Sequence, residues 1–180
     1  ASLALWLDAM HIKASGNDGL TTGDALTHWM DLSNKQHHVT QSTSNKQPEY
    51  SVDSVRAYVD FDGSDNMRAT FTGITIPQKT LYMVVEVQNQ GDNQWLSLDN
   101  NTSETDDGGV KVWLGSGNNG QNNNVDMGYI EPGQTKSVLS NAKIVSGVAI
   151  YKAVFDTDKI ELFVNGTSVG TQSGIVLNTK

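Results

Sequence analysis

The clearest hydrophobic pattern in the chain lies near its C-terminus, where apolar and polar residues alternate before a tight turn. Ile160, Leu162 and Val164 occupy every second position, so they share one face of an extended strand. Asn165 and Gly166 follow, and Asn-Gly readily adopts the positive φ angles of a two-residue hairpin turn. The segment therefore predicts an antiparallel hairpin with one buried face.

Two earlier segments also show strand patterns. Residues 54–61 alternate, which predicts that Val55, Ala57, Val59 and Phe61 face inward. Residues 80–87 are apolar on both faces for most of their length, which predicts a central strand covered above and below. The other predicted strands cover residues 3–8, 95–98, 110–114, 125–130 and 148–155. A helical pattern is found only in a short, ambiguous piece at residues 24–30.

Clusters of Gly, Asn and Asp separate these strands, and such residues tolerate tight and left-handed turns. Frequent turns and many short strands predict an all-β fold, and strands at this spacing are typical of a β-sandwich. The 180 residues, 37% of them hydrophobic, are enough for one core, so a single module over residues 1–180 is expected.

Charge and cysteine content exclude several kinds of partner and site. The net charge of −8 leaves no basic patch for phosphate, so nucleic acid is not an expected partner. The chain has no cysteine, which excludes disulfides and thiolate metal sites. No apolar run approaches the about 18 residues of a membrane span, so membrane insertion is not expected.

Three groups of residues together resemble the laminin-G-like branch of the concanavalin A-like jelly-roll family. The first is Leu-Trp-Leu-Asp-Ala at 5–9, followed by Trp-Met-Asp-Leu-Ser-Asn at 29–34 and Val-Thr-Gln at 39–41. The second is Val-Asp-Phe-Asp-Gly-Ser-Asp at 59–65, and the third is Leu-Phe-Val-Asn-Gly at 162–166. Their order and spacing are similar to the family over most of the chain.

The resemblance implies a two-sheet antiparallel β-sandwich, a concanavalin A-like jelly roll. Such a domain often holds calcium at a loop rim and belongs to a larger bacterial hydrolase, lyase or surface adhesin. Members of the family bind sugars, and some similar adhesin modules bind peptide ends. Trp6 and Trp29 fall at positions that look structural in the family. Such domains usually continue to a closing strand, whereas this chain stops at Lys180. Either that strand is missing from the chain, or the edge of the sheet is closed differently.

Carboxylates bunch in two loops, and hard oxygen ligands are what calcium prefers. The spacing is not that of an EF-hand, and each Asp-Gly pair is also an ordinary turn sequence. We expect at least one calcium site, and the candidate ligands are Asp60, Asp62 and Asp65 in one loop and Asp99, Asn101, Asp106 and Asp107 in the other.

A sugar site needs an aromatic platform with amides or carboxylates beside it. Trp113 is the best candidate, because in the segment 110–114 it alternates with three apolar residues and is predicted to point away from the core. The other candidate ligand contacts are Trp95, Tyr129, Asn118, Asn119 and Asn122.

Signs of catalysis are weak. A retaining glucanase can place its two carboxylates on one strand with Glu-x-Asp-x-x-Glu spacing, and the sequence has no such run. It also has no Gly-x-Ser-x-Gly motif, the nucleophile elbow that presents the serine in Ser-His-Asp catalysis. His37 and His38 are adjacent, so they are predicted to point opposite ways as an exposed loop pair and not to share a metal.

The sequence therefore predicts a non-catalytic, lectin-like ligand-binding module on a bacterial cell surface or in a secreted protein, as part of a longer multidomain chain. Calcium-dependent binding of a glycan is the leading function. The alternatives are a calcium-dependent peptide-binding module of a cell-adhesion protein, a structural spacer, and a polysaccharide lyase or glucanase.

Overall fold

The computed structural model describes residues 3–14, 17–70, 79–88, 93–99, 111–116, 124–131 and 134–174. Its strands pair antiparallel throughout, so the all-β class is confirmed. The chain forms two compact units, Ala1–Ile74 and Thr75–Lys180. The single module predicted over residues 1–180 stays a prediction. No helix in the described part of the chain is long and apolar enough to span a membrane.

The described residues of the first unit form two small sheets. Their strands are β1 (Asp24–Ala25), β2 (His28–Trp29), β3 (Val39–Thr40), β4 (Glu49–Val52) and β5 (Ala57–Asp60). A three-stranded sheet has the order β1-β4-β5, and β2 pairs with β3 in a separate ribbon. Short 3-10 helices cover Ala9–Ala14 and Ser44–Lys46.

The core of the first unit is built around Ile12, Leu26 and Tyr50, all buried, with Trp29 packed against them. The ambiguous segment 24–30 forms β1 and β2, so it is extended and not helical.

The N-terminal segment differs from its prediction. Residues 3–8 form no strand; they run irregularly into the first 3-10 helix, and the side chain of Trp6 is half exposed. Backbone hydrogen bonds explain this, because the Trp6 carbonyl accepts the N–H of Leu32 instead of joining a ladder.

Strand β5 confirms only the middle of the alternation predicted for residues 54–61. Ala57 and Val59 are half-buried and pack on the core, whereas Val55 is 85% exposed and Phe61 is 46% exposed. Both outward residues lie outside β5, one on each side of it, where the two-residue period no longer applies.

The described residues of the second unit form two four-stranded antiparallel sheets. Their strands are β6 (Lys79–Glu86), β7 (Asn93–Asp99), β8 (Lys111–Ser116), β9 (Asn124–Glu131), β10 (Gln134–Lys143), β11 (Val148–Phe155), β12 (Lys159–Val164) and β13 (Thr167–Ser173). The strand orders are β10-β9-β8-β7 and β13-β12-β11-β6. Strand β10 was not predicted, because its sequence is mostly polar.

The core of the second unit follows the alternation of β11 and β12. Tyr151 and Phe155 are buried from β11, and Leu162 is buried from β12 beside the other two inward residues of that strand. Val125 of β9 is buried in the same cluster, an arrangement consistent with a β-sandwich. The inward face predicted for residues 160–164 is therefore confirmed.

The position predicted for residues 80–87 is wrong. Residues 80–86 belong to β6, which among the described strands lies at the end of its sheet and not in the centre. Leu81, Met83 and Val85 pack on the core, whereas Tyr82 is 65% exposed and Val84 is 70% exposed on the other face. An apolar run does not reveal how many faces of a strand are covered, because that depends on the neighbouring strands.

The predicted Asn-Gly turn joins β12 to β13 and gives a first testable prediction. Asn165 has φ of 48° and Gly166 has φ of 83°, and the Asn165 side-chain oxygen accepts the N–H of Ile150 at 2.9 Å. We expect Asn165→Ala to lower the free energy of unfolding by about 2 kcal/mol, because it loses this bond and strains a left-handed residue. Urea denaturation measures the change.

Asn165→Gly separates the two contributions. Glycine tolerates the positive φ but lacks the side-chain oxygen, so its cost should be about 1 kcal/mol. Equal stability of all three proteins would contradict this account of the turn.

Candidate functional site

The described residues of the first unit form an open polar cleft of about 210 Å³. We call it the acidic cleft. It is lined by Ser44, Asn45, Gln47, Glu49, Asp60, Asp62 and Asp65, which offer four carboxylates and three neutral polar side chains but no Lys, Arg or His.

Strand pairing brings two of these carboxylates together. Glu49 begins β4 and lies directly opposite Asp60 at the end of β5. Residues directly opposite in an antiparallel pair share a face, with Cβ atoms about 5 Å apart, and like charges there are destabilising. Both residues are exposed. The sheet therefore holds two negative charges side by side at the cleft.

The turn after β5 supplies the other two carboxylates. Gly63 has φ of 96°, and the chain turns so that Asp62 accepts the N–H of Ser64 at 2.8 Å and its hydroxyl at 2.7 Å. Asp65 accepts the N–H of Asp62 at 3.0 Å. The N–H and hydroxyl of Ser64 lower the pKa of Asp62 below its ordinary value, so this carboxylate is charged at neutral pH.

Hydrogen bonds fix this turn against the 3-10 helix at Ser44–Lys46. The N–H of Asn66 donates to the Lys46 carbonyl at 3.1 Å, and the Gln41 side-chain amide donates to both oxygens of Asn66, at 2.9 and 2.7 Å. Ser44 and Asn45 thereby line the same cleft as the aspartates.

The structure thus brings together the three aspartates of the first predicted calcium loop. It adds Glu49, Asn45, Gln47 and Ser44, which the sequence interpretation missed. The feature that could have identified Glu49 is the β4–β5 hairpin, whose register places Glu49 opposite Asp60. Among the described residues, no three His, Asp or Glu side chains lie close enough together to hold one metal ion as they stand.

The second predicted calcium loop falls largely outside the described residues. Asp99 ends β7, where its backbone pairs with Lys111. Asn101, Asp106 and Asp107 lie outside the described part of the chain.

The predicted sugar platform is described only in its backbone. Trp95, Trp113 and Tyr129 lie on the neighbouring strands β7, β8 and β9. Trp113 pairs with Gly128 and Tyr129 pairs with Val112, so the two aromatic residues are offset by one register position. The three predicted amide contacts, Asn118, Asn119 and Asn122, lie outside the described residues.

A buried carboxylate, Asp31, holds the N-terminal segment of the first unit. One oxygen accepts the N–H groups of Trp6 (2.9 Å) and Ser33 (2.8 Å), and the other accepts the Ser33 hydroxyl (2.7 Å) and the His37 N–H (2.9 Å). Burial alone would raise the pKa of Asp31, but these hydrogen bonds, the Ser33 hydroxyl foremost, lower it overall. Four donors satisfy this group, which indicates a structural role.

The histidine pair lies beside Asp31, and the prediction that it forms an exposed loop pair is wrong. His37 and His38 are both half-buried. The Nδ1 atom of His37 lies 2.9 Å from the Ala4 carbonyl oxygen, and Nδ1 of His38 accepts the N–H of Asp31 at 3.0 Å. Each ring therefore has a backbone partner, in the N-terminal segment for His37 and at Asp31 for His38.

Comparison with known proteins finds no matching protein family, no matching curated protein and no matching solved structure. The laminin-G-like resemblance therefore stays a prediction from the sequence.

Proposed function

We propose that this protein is a non-catalytic, extracellular ligand-binding module with a concanavalin A-like jelly roll, and that it binds carbohydrate in a calcium-dependent manner. The observation that carries the proposal is the acidic cleft, whose lining offers oxygen and amide groups with four carboxylates and no cationic side chain.

The charge of the cleft supports a cation. Glu49 and Asp60 face each other across two paired strands, and Asp62 and Asp65 add two further carboxylates. Oxygen ligands of this kind suit calcium, which takes six to eight of them in flexible geometry. The carboxylates are not gathered around one point beforehand, so their side chains would have to close on the ion as it binds.

The neutral residues of the cleft support a polyhydroxylated ligand. Sugar hydroxyls donate to carboxylates and exchange hydrogen bonds with the amides of Asn45 and Gln47. A calcium ion with open coordination positions can also take hydroxyl oxygens. In the second unit, Asp99, Asn101, Asp106 and Asp107 remain proposed calcium ligands, and Trp95, Trp113, Tyr129, Asn118, Asn119 and Asn122 remain proposed ligand contacts.

Calcium binding by the acidic cleft is a second testable prediction. Isothermal titration of the metal-free chain with calcium should show a binding event that the double variant Asp60→Asn/Asp62→Asn weakens at least about tenfold, because it removes two of the four carboxylates. Asp18→Asn, an exposed aspartate of the same unit outside the cleft, is the matched control and should bind like the unchanged chain.

Carbohydrate binding is tested separately on a glycan array with calcium and with chelator. Binding should occur with calcium, fall with chelator and fall in the double variant. Capture of free peptides in place of glycans would favour the peptide-binding alternative. Release of reducing sugar ends that is lost in Glu49→Gln would overturn the non-catalytic proposal, since paired carboxylates also cleave glycosides.

A further inference from the structure

Met10 is an exposed methionine in the first 3-10 helix. It is 64% exposed, whereas Met30 and Met67, which belong to the same unit, are half-buried. Its backbone is held in place, because its N–H donates to the Asp8 carboxylate at 2.9 Å. Exposed thioethers are the ones that oxidants in solution reach first.

The sulfur of Met10 makes a specific contact with β5. It accepts the backbone N–H of Ala57, the first residue of that strand, with 3.1 Å between sulfur and nitrogen. Ala9 and Ala57 also pack on the same core, so the helix lies against the start of β5. The Met10 side chain therefore has a defined orientation although it is exposed.

Strand register shows why the sulfur matters to Ala57. Val52 lies opposite Ala57 in the β4–β5 pair, but the Val52 N–H donates to the Thr22 hydroxyl at 3.1 Å. Two residues directly opposite in an antiparallel pair either exchange both hydrogen bonds or direct both outward, so the N–H of Ala57 points away from β4. The Met10 sulfur thus accepts a donor that β4 does not reach.

We propose that Met10 is a site of oxidation by hydroperoxides, and that its sulfoxide releases the first 3-10 helix from β5. A lone pair of the sulfur attacks one peroxide oxygen, the O–O bond breaks, and the proton of the attacked oxygen passes to the departing one. The sulfur is oxidised by two electrons to the sulfoxide, and the peroxide is reduced to water or an alcohol.

The contact with Ala57 determines which sulfoxide forms. A thioether sulfur has two lone pairs, and the N–H of Ala57 occupies one of them. The oxidant therefore attacks the other lone pair, which gives one of the two sulfoxide epimers. The new oxygen points away from Ala57, and the sulfur becomes a poor acceptor because it now carries partial positive charge. The N–H of Ala57 loses its partner as a result.

The outcome is a redox-sensitive contact between the N-terminal segment and the β1-β4-β5 sheet. Methionine sulfoxide is reduced back to methionine by enzymes that each act on one epimer, so the change is reversible. Because a single epimer forms, one of these enzymes is enough to restore the contact of Met10 with Ala57.

Limited treatment of the folded chain with hydrogen peroxide tests the site. Each methionine lies in a tryptic peptide of its own, so mass spectrometry can follow their oxidation separately. Met10 should oxidise at least about fivefold faster than the half-buried Met30, Met67 and Met83. Oxidation of any of those three at the rate of Met10 would overturn the proposal.

The two epimer-specific reductases test the shielding of the sulfur. In tryptic peptides of the oxidised chain, one reductase should restore at least about four times as much Met10 as the other. The matched control is the same chain oxidised in urea, where the contact with Ala57 is absent and both epimers should form about equally. An equal mixture from the folded chain would show that Ala57 shields neither lone pair and would overturn the proposed geometry.

Hydrogen exchange tests the release of the helix. Oxidation should speed the exchange of the Ala57 N–H at least about fivefold, as expected for the loss of one hydrogen bond. Met10→Leu keeps a similar apolar volume without the sulfur, so its Ala57 N–H should exchange fast both before and after peroxide. An unaltered Ala57 rate in the oxidised natural sequence would overturn the proposal, and so would a peroxide response that Met10→Leu retains.

Discussion

Asp31→Asn should lower the free energy of unfolding of the first unit by about 3 kcal/mol. The carboxylate is buried, with 6% exposure, and accepts four hydrogen bonds. An asparagine of the same shape keeps one accepting oxygen but turns an NH₂ group toward the N–H of His37, so a buried donor is left facing a donor. Breaking a buried charged network in this way costs about 3–5 kcal/mol in other proteins.

Chemical denaturation measures the total cost, and hydrogen exchange locates it. Faster exchange should appear first at the N–H groups of Trp6, Ser33 and His37. Asp53→Asn is the matched control: Asp53 also accepts three hydrogen bonds in a turn, from the N–H groups of Val55 and Arg56 and from the Arg56 side chain, but it is exposed. Asp53→Asn should leave the midpoint of chemical denaturation nearly unchanged. An equal loss of unfolding free energy in both variants would contradict the argument from burial.

The stability that the Asp31 carboxylate gives to the fold should depend on pH in one direction. The folded-state pKa of Asp31 is lowered, so the carboxylate stabilises the fold fully above its unfolded-state pKa of about 3.9. That stability is lost as the pH falls from there through the folded-state pKa. The gap in stability between the unchanged chain and Asp31→Asn should therefore be constant above about pH 5 and shrink in acid. A gap that widened on acidification would contradict the assignment.

Leu162→Ala should cost about 3 kcal/mol in the second unit. Leu162 is fully buried in the centre of β12, between Ile160 and Val164 on the same face. Removing its side chain forfeits the burial of three carbon atoms and leaves a cavity that the paired strands cannot readily close. Urea denaturation gives the loss, and the exchange of amides in β11 and β12 assigns it to this unit.

Phe163→Ala is the control for Leu162→Ala. It deletes a larger side chain from the next position of β12, but that residue is only half-buried on the other face, with the Lys152 nitrogen 4.3 Å from its ring centre. We expect a loss of about 1 kcal/mol. If Phe163→Ala lowered the stability more than Leu162→Ala, the residues of β12 that face the core would be the neighbouring ones, one position away from those assigned here.

Several strands of the second unit could be predicted from the sequence because local patterns determine them. The alternation of residues 160–164 and the Asn-Gly turn act within a few positions, and β11 was predicted with the bounds that the structure shows. Strand β10 was not predicted because its sequence is mostly polar. The position of β6 in its sheet was predicted wrongly because it depends on pairing with a strand far away in the sequence.

The first unit was harder to predict because side chains, not periodicity, arrange its backbone. Residues 3–8 look like a strand, but Asp31 and the loop around it take up their backbone groups. The same limit applies to the acidic cleft. The sequence pointed to Asp60, Asp62 and Asp65, yet Glu49 joins them only through the pairing of β4 with β5.

The long separation between β6 and β11 has a consequence for how the chain folds. Thr80 pairs with Val154, about 70 positions later, whereas β11, β12 and β13 are joined by short turns. Closing a large loop costs more entropy and takes longer than forming a hairpin, so the three-stranded meander is expected to assemble first and β6 to dock late. Until that docking, the growing chain carries two unsatisfied strands, and this interval is when it is most open to misassembly.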